Sequence, residues 1–141
     1  MVYITRRERF SSAHRLFRSD WDDARNMDVF GPCSNANWHG HNFELFVTVK
    51  GNVNPETGFV LNLKDLSPII KERVVSKLDH KNLNLEVDFM KDKIPSTEAL
   101  VVGIWNQLEA PVKDMGVSLH CVKVFETENN FVEYFGEKNG L

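Results

Sequence analysis

Across residues 43–49 the chain reads FELFVTV, with Phe43, Leu45, Val47 and Val49 alternating with Glu44, Phe46 and Thr48. Period-two alternation marks a strand with one buried face. An earlier extended segment, VYITRRERFSSAHRLF at residues 2–17, puts Phe10, Ser12 and His14 on one face. The polar stretch between these segments is long for a structureless loop, and it accommodates a short helix around residues 21–27. After the second strand, GNVNPETG reads as a hairpin connection and FVLNL, residues 59–63, as a short returning strand.

The period then changes. Leu66, Ile70, Val74 and Leu78 recur every fourth residue, which predicts a helix over residues 64–78 with Pro68 near its start, where a missing N–H costs little. PSTEALVVGIWNQL predicts a second helix, capped by Ser96 or Thr97 with Glu98 in its first turn. Its buried face is Leu100, Val101, Ile104, Trp105 and Leu108. SLHCVKVFE, a turn at TENN, and FVEYF predict a closing hairpin. The order strand, strand, helix, helix, strand, strand implies an α+β fold, an antiparallel sheet with helices on one face. The 141 residues suit one domain, 1–141, able to bury about two thirds of its unfolded surface without disulfide staples.

Charge and composition narrow the function. A net charge of −3 argues against a general nucleic-acid binder, which needs a basic surface. No apolar run is long enough to cross a bilayer, and MVYITRRERF has no signal-peptide core, so the expected setting is cytoplasmic, with no membrane partner. A Cys33–Cys121 disulfide would be unusual there, and Cys121, inside LHCVKVF, reads as a small core residue.

The chemistry concentrates in CSNANWHGHNF. His39 and His41 share the parity of Phe43 and Leu45, so a strand beginning at His39 projects both imidazoles from one face. Gly40, pointing away, lets another backbone approach. His14, ending the first strand, is the natural third ligand if the two strands are neighbours. Three neutral imidazoles leave the fourth position of a Zn2+ open, the arrangement of a catalytic site. Against this stands the plain fact that His-Gly-His also occurs in loops by chance. Cys33, in a polar loop, reads as a proton acceptor or nucleophile, a fourth zinc ligand, or an idle thiol. In LDHKNLN, a carboxylate at Asp79 can fix the tautomer of His80, although His80 and Lys81 also read as ordinary helix-terminus cations. Glu126 ends the row of Val122 and Val124, where it can accept two hydrogen bonds from a guanidine-like edge such as a pterin's, or lie exposed on a hairpin. His120 has the same parity and no assigned role, and Phe17 and Trp38 read as lid or core residues.

FSSAHRL, FGPCSNANWHGHNFELFVTVKG, NPETGFVLNLKDL, LDHKNLN, STEAL and VFETENN together resemble the 6-pyruvoyl-tetrahydropterin synthase family over nearly the whole chain. The resemblance implies the tunnelling fold, with a four-stranded antiparallel sheet and two helices, oligomerising into a barrel. It also implies a homohexamer of two trimers with active sites between subunits. It places one zinc per subunit on His14, His39 and His41, and the catalytic cysteine at Cys33. It puts an Asp–His pair at Asp79 and His80, the pterin-anchoring carboxylate at Glu126, and pocket-lining hydroxyls at Thr97 and Thr127. The implied reaction converts 7,8-dihydroneopterin triphosphate to 6-pyruvoyl-tetrahydropterin, in tetrahydrobiopterin biosynthesis. No Gly-rich phosphate loop is present, and Arg15 and Lys81 are triphosphate candidates by proximity alone.

A sister branch, 6-carboxytetrahydropterin synthase of the queuosine and deazapurine route, typically has its cysteine four residues before the first histidine of HGH. Here Cys33 lies six before His39, which favours the pyruvoyl product. Trp38 stands where the family usually has glycine or another small residue. A zinc hydrolase or deaminase on another heterocycle, and a non-enzymatic zinc-containing pterin-binding protein, are the competing readings.

Overall fold

In the computed structural model, which describes residues 1–137, β1 (Val2–His14) and β2 (His39–Gly51) pair antiparallel along their whole length. Val2 faces Gly51 at one end and His14 faces His39 at the other. β3 (Lys81–Asn82) runs parallel to β1 beside Ser12 and Ala13. β4 (Ser118–Thr127) occupies the other edge of β2, and β5 (Asn130–Tyr134) follows it, giving the order β3-β1-β2-β4-β5. The sheet therefore has five strands and is mixed, where the sequence implied four antiparallel ones. The added strand, of two residues, is too short to show alternation.

FVLNL forms no strand either. Both edges of β2 are taken, so a chain returning from its turn cannot pair back on β2. The turn instead closes on itself, with the Asn54 N–H donating to the Phe59 carbonyl at 2.8 Å. Asn62 then caps the next helix, its side chain accepting from the Lys64 N–H at 2.9 Å.

Among the described residues three helices form, the two that the resemblance implied and the short one expected in the polar stretch. α1 (Asp23–Phe30) begins where the Asp22 side chain accepts from the Arg25 N–H at 2.8 Å, and it lies slightly later than the sequence suggested. α2 (Leu63–Ile70) continues through a π turn (Lys71–Val75) into Ser76–Leu78. Its stripe of Leu66, Ile70, Val74 and Leu78 is fully buried, as the period predicted. Pro68 is the sixth residue of α2, not in its first turn as expected. α3 (Thr97–Asp114) is capped by Ser96, whose Oγ accepts from the Ala99 N–H at 3.1 Å, and it runs past Leu108 and through Pro111. The apolar stripes of α2 and α3 pack on the sheet face of Phe10, Phe43, Leu45, Val47, Val122 and Val124.

The opposite face carries Tyr3, Phe46 and Lys123, with the Lys123 ammonium 4.4 Å from the Phe131 ring centre. Between Thr48 and Val49 the β2–β4 register slips past His120, whose ring lies tilted against Tyr3 with centres 4.6 Å apart. Cys121 is buried as expected, but beside Thr48 and Tyr3 rather than among the helices, and burial pushes its thiol pKa up. Among the described residues no helix is long and apolar enough to cross a membrane.

Candidate metal centre

The β1–β2 register brings the three histidines together. His14 lies opposite His39 and Ser12 opposite His41, so alternation aims all three rings to the helix side of the sheet. Their candidate ligand nitrogens lie within 4.8 Å of one another. A Cβ at Gly40 would sit 3.4 Å from the Ser12 carbonyl oxygen, an ordinary contact, so the approach of the two strands does not itself demand glycine there. His14 is 1% exposed, and its Nδ1–H donates to the Pro95 carbonyl at 2.8 Å. That bond fixes the tautomer and leaves the Nε2 lone pair facing the cluster. His14 Nε2, His39 Nδ1 and His41 Nε2 are all buried without a hydrogen-bond partner. Buried polar atoms are normally paired, so three orphans converging on one point fit a cation rather than a satisfied core.

The electrostatics favour the ligand form. Burial pulls the His14 pKa down, more than its bond to Pro95 raises it. Burial, followed by the neighbouring His41, lowers that of His39. Neutral imidazoles are the metal-binding state. Trp38, immediately before His39, holds φ at 67°, a left-handed conformation that suits glycine.

Glu126 lies beside the cluster. Its Oε1 is 3.8 Å from His41 Nε2, and its Oε2 is 3.9 Å from His14 Nε2. The β4–β5 register slips between Phe125 and Thr127, and a bulge at this point aims the carboxylate. The buried Thr97 hydroxyl donates to Oε2 at 2.7 Å, so the first residue of α3 holds Glu126 in place. Thr127 starts the hairpin turn, where its hydroxyl accepts from the Asn129 N–H at 3.3 Å.

Cys33 sits half-buried in a one-turn 3-10 helix (Gly31–Ser34), as a free thiol. Its sulfur is outside the convergent ligand set. Asp79 and His80 do touch, with Oδ2 3.0 Å from Nδ1, rather than merely ending the helix. Asp79 Oδ1 also accepts from the Ser11 N–H at 2.8 Å, and the His80 N–H donates to the Ser11 carbonyl at 2.6 Å. The Ser11 bond, aided by His80, holds the Asp79 carboxyl below the usual carboxylate range. The His80 side chain is 84% exposed beside a cleft of about 440 Å3 shared with Ser11, Asn42 and Lys81. Ser11 and Asn42 belong to the face opposite Phe10 and Phe43; the cleft also reaches His41, but the Asp79–His80 pair stays outside the convergent ligand set. Sequence reasoning missed Pro95, because a backbone acceptor leaves no mark in side-chain chemistry.

A family model described as 6-pyruvoyl tetrahydropterin synthase matches residues 3–137. The chain belongs to that family. It is 45% identical to the human protein named 6-pyruvoyl tetrahydrobiopterin synthase, covering 95% of this chain and 91% of that one. A protein of the same name from Dictyostelium discoideum is 46% identical, covering 96% and 97%. The solved structure of the Caenorhabditis elegans 6-pyruvoyl tetrahydropterin synthase superposes with a TM-score of 0.89, at 33% identity over 96% of both chains. A Bacillus subtilis protein named 6-carboxy-5,6,7,8-tetrahydropterin synthase is more distant, 31% identical over 79% of this chain and 75% of that one.

Proposed function

We propose that this protein is a zinc-dependent lyase that converts 7,8-dihydroneopterin triphosphate to 6-pyruvoyl-tetrahydropterin and triphosphate. The observation that carries the reading is the convergence of three unpaired imidazole nitrogens beside the Thr97-held Glu126 carboxylate. The reaction balances within the substrate. The C1′ carbinol is oxidised as the ring C=N is reduced, and loss of triphosphate from C3′ leaves a ketone at C2′. No external oxidant or reductant is required.

Bound by His14, His39 and His41, zinc supplies Lewis acidity to the substrate's side-chain hydroxyls and the C–H bonds beside them. Glu126 accepts the N–H edge of the pterin, steadied by Thr97, with Thr127 near the same wall. Cys33, as thiolate, takes a proton from the side chain and returns one to the ring. Asp79 and His80 relay protons to it, and they come from a neighbouring subunit. The exposure of His80 on the sheet face away from the histidine cluster supports that origin. The assembly is a homohexamer of two trimers, working in the cytoplasm.

The second reading is the 6-carboxy product, favoured by the relative of that name. Incubation of the zinc-loaded protein with 7,8-dihydroneopterin triphosphate, with product mass as the readout, separates the two. Turnover to neither product refutes the proposal.

A further inference from the structure

Arg15 directly follows the metal ligand His14, and the chain on both sides of it is tied down. The Asn84 side chain accepts from the Arg15 N–H and donates to the Arg15 carbonyl, each at 2.9 Å. This two-point grip continues the pairing of β1 beyond β3, where the Leu83 N–H donates to the Ala13 carbonyl at 2.8 Å. The Arg15 guanidinium, one of the two cations offered above for the triphosphate by proximity, is engaged within the chain at its Nε and on its face. Its Nε donates to the Ser34 carbonyl at 2.8 Å, and it lies 3.9 Å from the centre of the Phe17 ring. The next residue completes the clamp, the Leu16 N–H donating to the Cys33 carbonyl at 2.8 Å. The Ser34 hydroxyl in turn donates to the Gly31 carbonyl at 2.8 Å, closing the turn that carries Cys33. Two consecutive carbonyls, those of Cys33 and Ser34, are thus held by the two residues that follow His14.

We infer that Arg15 is a positioning residue for Cys33: its guanidinium fixes the thiol-bearing turn in register with the metal ligand His14, rather than binding the triphosphate. This rests on the proposed role of Cys33. Small displacements of a reacting group cost rate steeply, of order 100-fold per ångström, so loss of the clamp reads out in kcat rather than in KM.

Arg15→Met removes both donor and charge, whereas Arg15→Gln removes the charge and keeps an N–H donor. In the zinc-loaded protein, Arg15→Met is expected to keep its zinc, to lose about 10- to 100-fold in kcat, and to hold KM within about threefold. Arg15→Gln is expected to recover much of that kcat. The alkylation rate of Cys33 by iodoacetamide, followed from pH 6 to 9 and resolved from Cys121 by peptide mass, is expected to change severalfold in Arg15→Met and little in Arg15→Gln. Equal rises in KM for both variants with kcat preserved would make Arg15 a triphosphate ligand and overturn the inference, as would an unaltered alkylation profile in Arg15→Met. If the wild-type protein does not turn over the substrate, the proposed function fails, while the alkylation comparison still decides the clamp. Should Arg15→Met not fold, Phe17→Leu, which removes the ring under the guanidinium, carries the same test.

Discussion

Zinc removal is the most direct perturbation of the centre. The three orphaned nitrogens each forgo a hydrogen bond in the folded apoprotein, at about 1–3 kcal/mol apiece, so their convergence without a cation costs about 3–9 kcal/mol. A bound cation removes that cost in the folded state alone. With free zinc at one hundred times its Kd the added stability is about 2.7 kcal/mol. At roughly 3 °C per kcal/mol for a chain of this size, the melting temperature should rise by about 8 °C. The assay is a calorimetric melt of chelator-treated protein against buffered zinc, with magnesium as a control that an imidazole site should ignore. His41→Ala should shrink the zinc-dependent rise below about 3 °C. The pH dependence has a defined sign. His14 and His39 titrate below their ordinary value of 6.5 in the fold, so below that pH the unfolded chain binds the extra protons first. The apoprotein should lose stability as pH falls from about 6.5 through those lowered values, and be insensitive to these two groups above it. An equal zinc shift in wild type and His41→Ala would refute the assignment of the centre, as would no shift at saturating zinc.

Three further outcomes follow from the geometry. Thr97→Val, nearly isosteric, removes the hydroxyl that donates to Glu126 Oε2 and should weaken binding of a non-reacting pterin about tenfold in calorimetric titration; an unchanged Kd argues against Glu126 as the anchor. At position 38, where φ is 67°, glycine should be more stable than alanine by about 1 kcal/mol, the reverse of the usual order, and denaturant titration of Trp38→Gly and Trp38→Ala checks it. Asp79, titrating below the ordinary aspartate value of 3.8, contributes stability at neutral pH that disappears as pH falls through its lowered folded value, so Asp79→Asn and wild type should converge in strong acid. A stability gap that persists at pH 2 would show that the carboxylate charge is not what the Ser11 N–H recognises.

The parts of this molecule that were legible in the sequence are those written in side-chain periodicity. Parity alone put His39 and His41 on the face of Phe43, and the four-residue spacing of Leu66, Ile70, Val74 and Leu78 gave the buried stripe of α2. The third ligand was legible only conditionally, because His14 joins the cluster through the pairing of β1 with β2, a long-range fact. What escaped was carried by backbone groups or by competition for edges. FVLNL has the composition of a strand, but both edges of β2, along which it would return, are taken. β3 exists because the Ser11 and Ala13 carbonyls receive the N–H groups of His80 and Leu83. Asp79 and His80 looked like the decoration of a helix end until the Ser11 N–H gave the carboxylate a partner. The family resemblance supplied that pair where the residues alone favoured the plainer reading.

The two faces of the sheet set the hardest test of the proposal. The histidine cluster lies on the helix side, and His80 lies exposed on the other. If a proton relay runs through both, it must join two chains, and among the described residues no strand pairs with the outer edge of β1 from Val2 to Phe10. Cys33→Ala and His80→Ala should each be inactive as pure proteins while keeping their zinc. Unfolded and refolded together in equal amounts, they form mixed assemblies in which some sites take an intact thiol from one chain and an intact imidazole from its neighbour. Random mixing of subunits makes that fraction about a quarter of all sites, so about a quarter of wild-type turnover should return. Subunits separately tagged by mass establish that mixing has occurred. Mixed assemblies that form and remain inactive would place Cys33 and His80 in the same chain's site or in no common site, and the shared active centre would have to be abandoned.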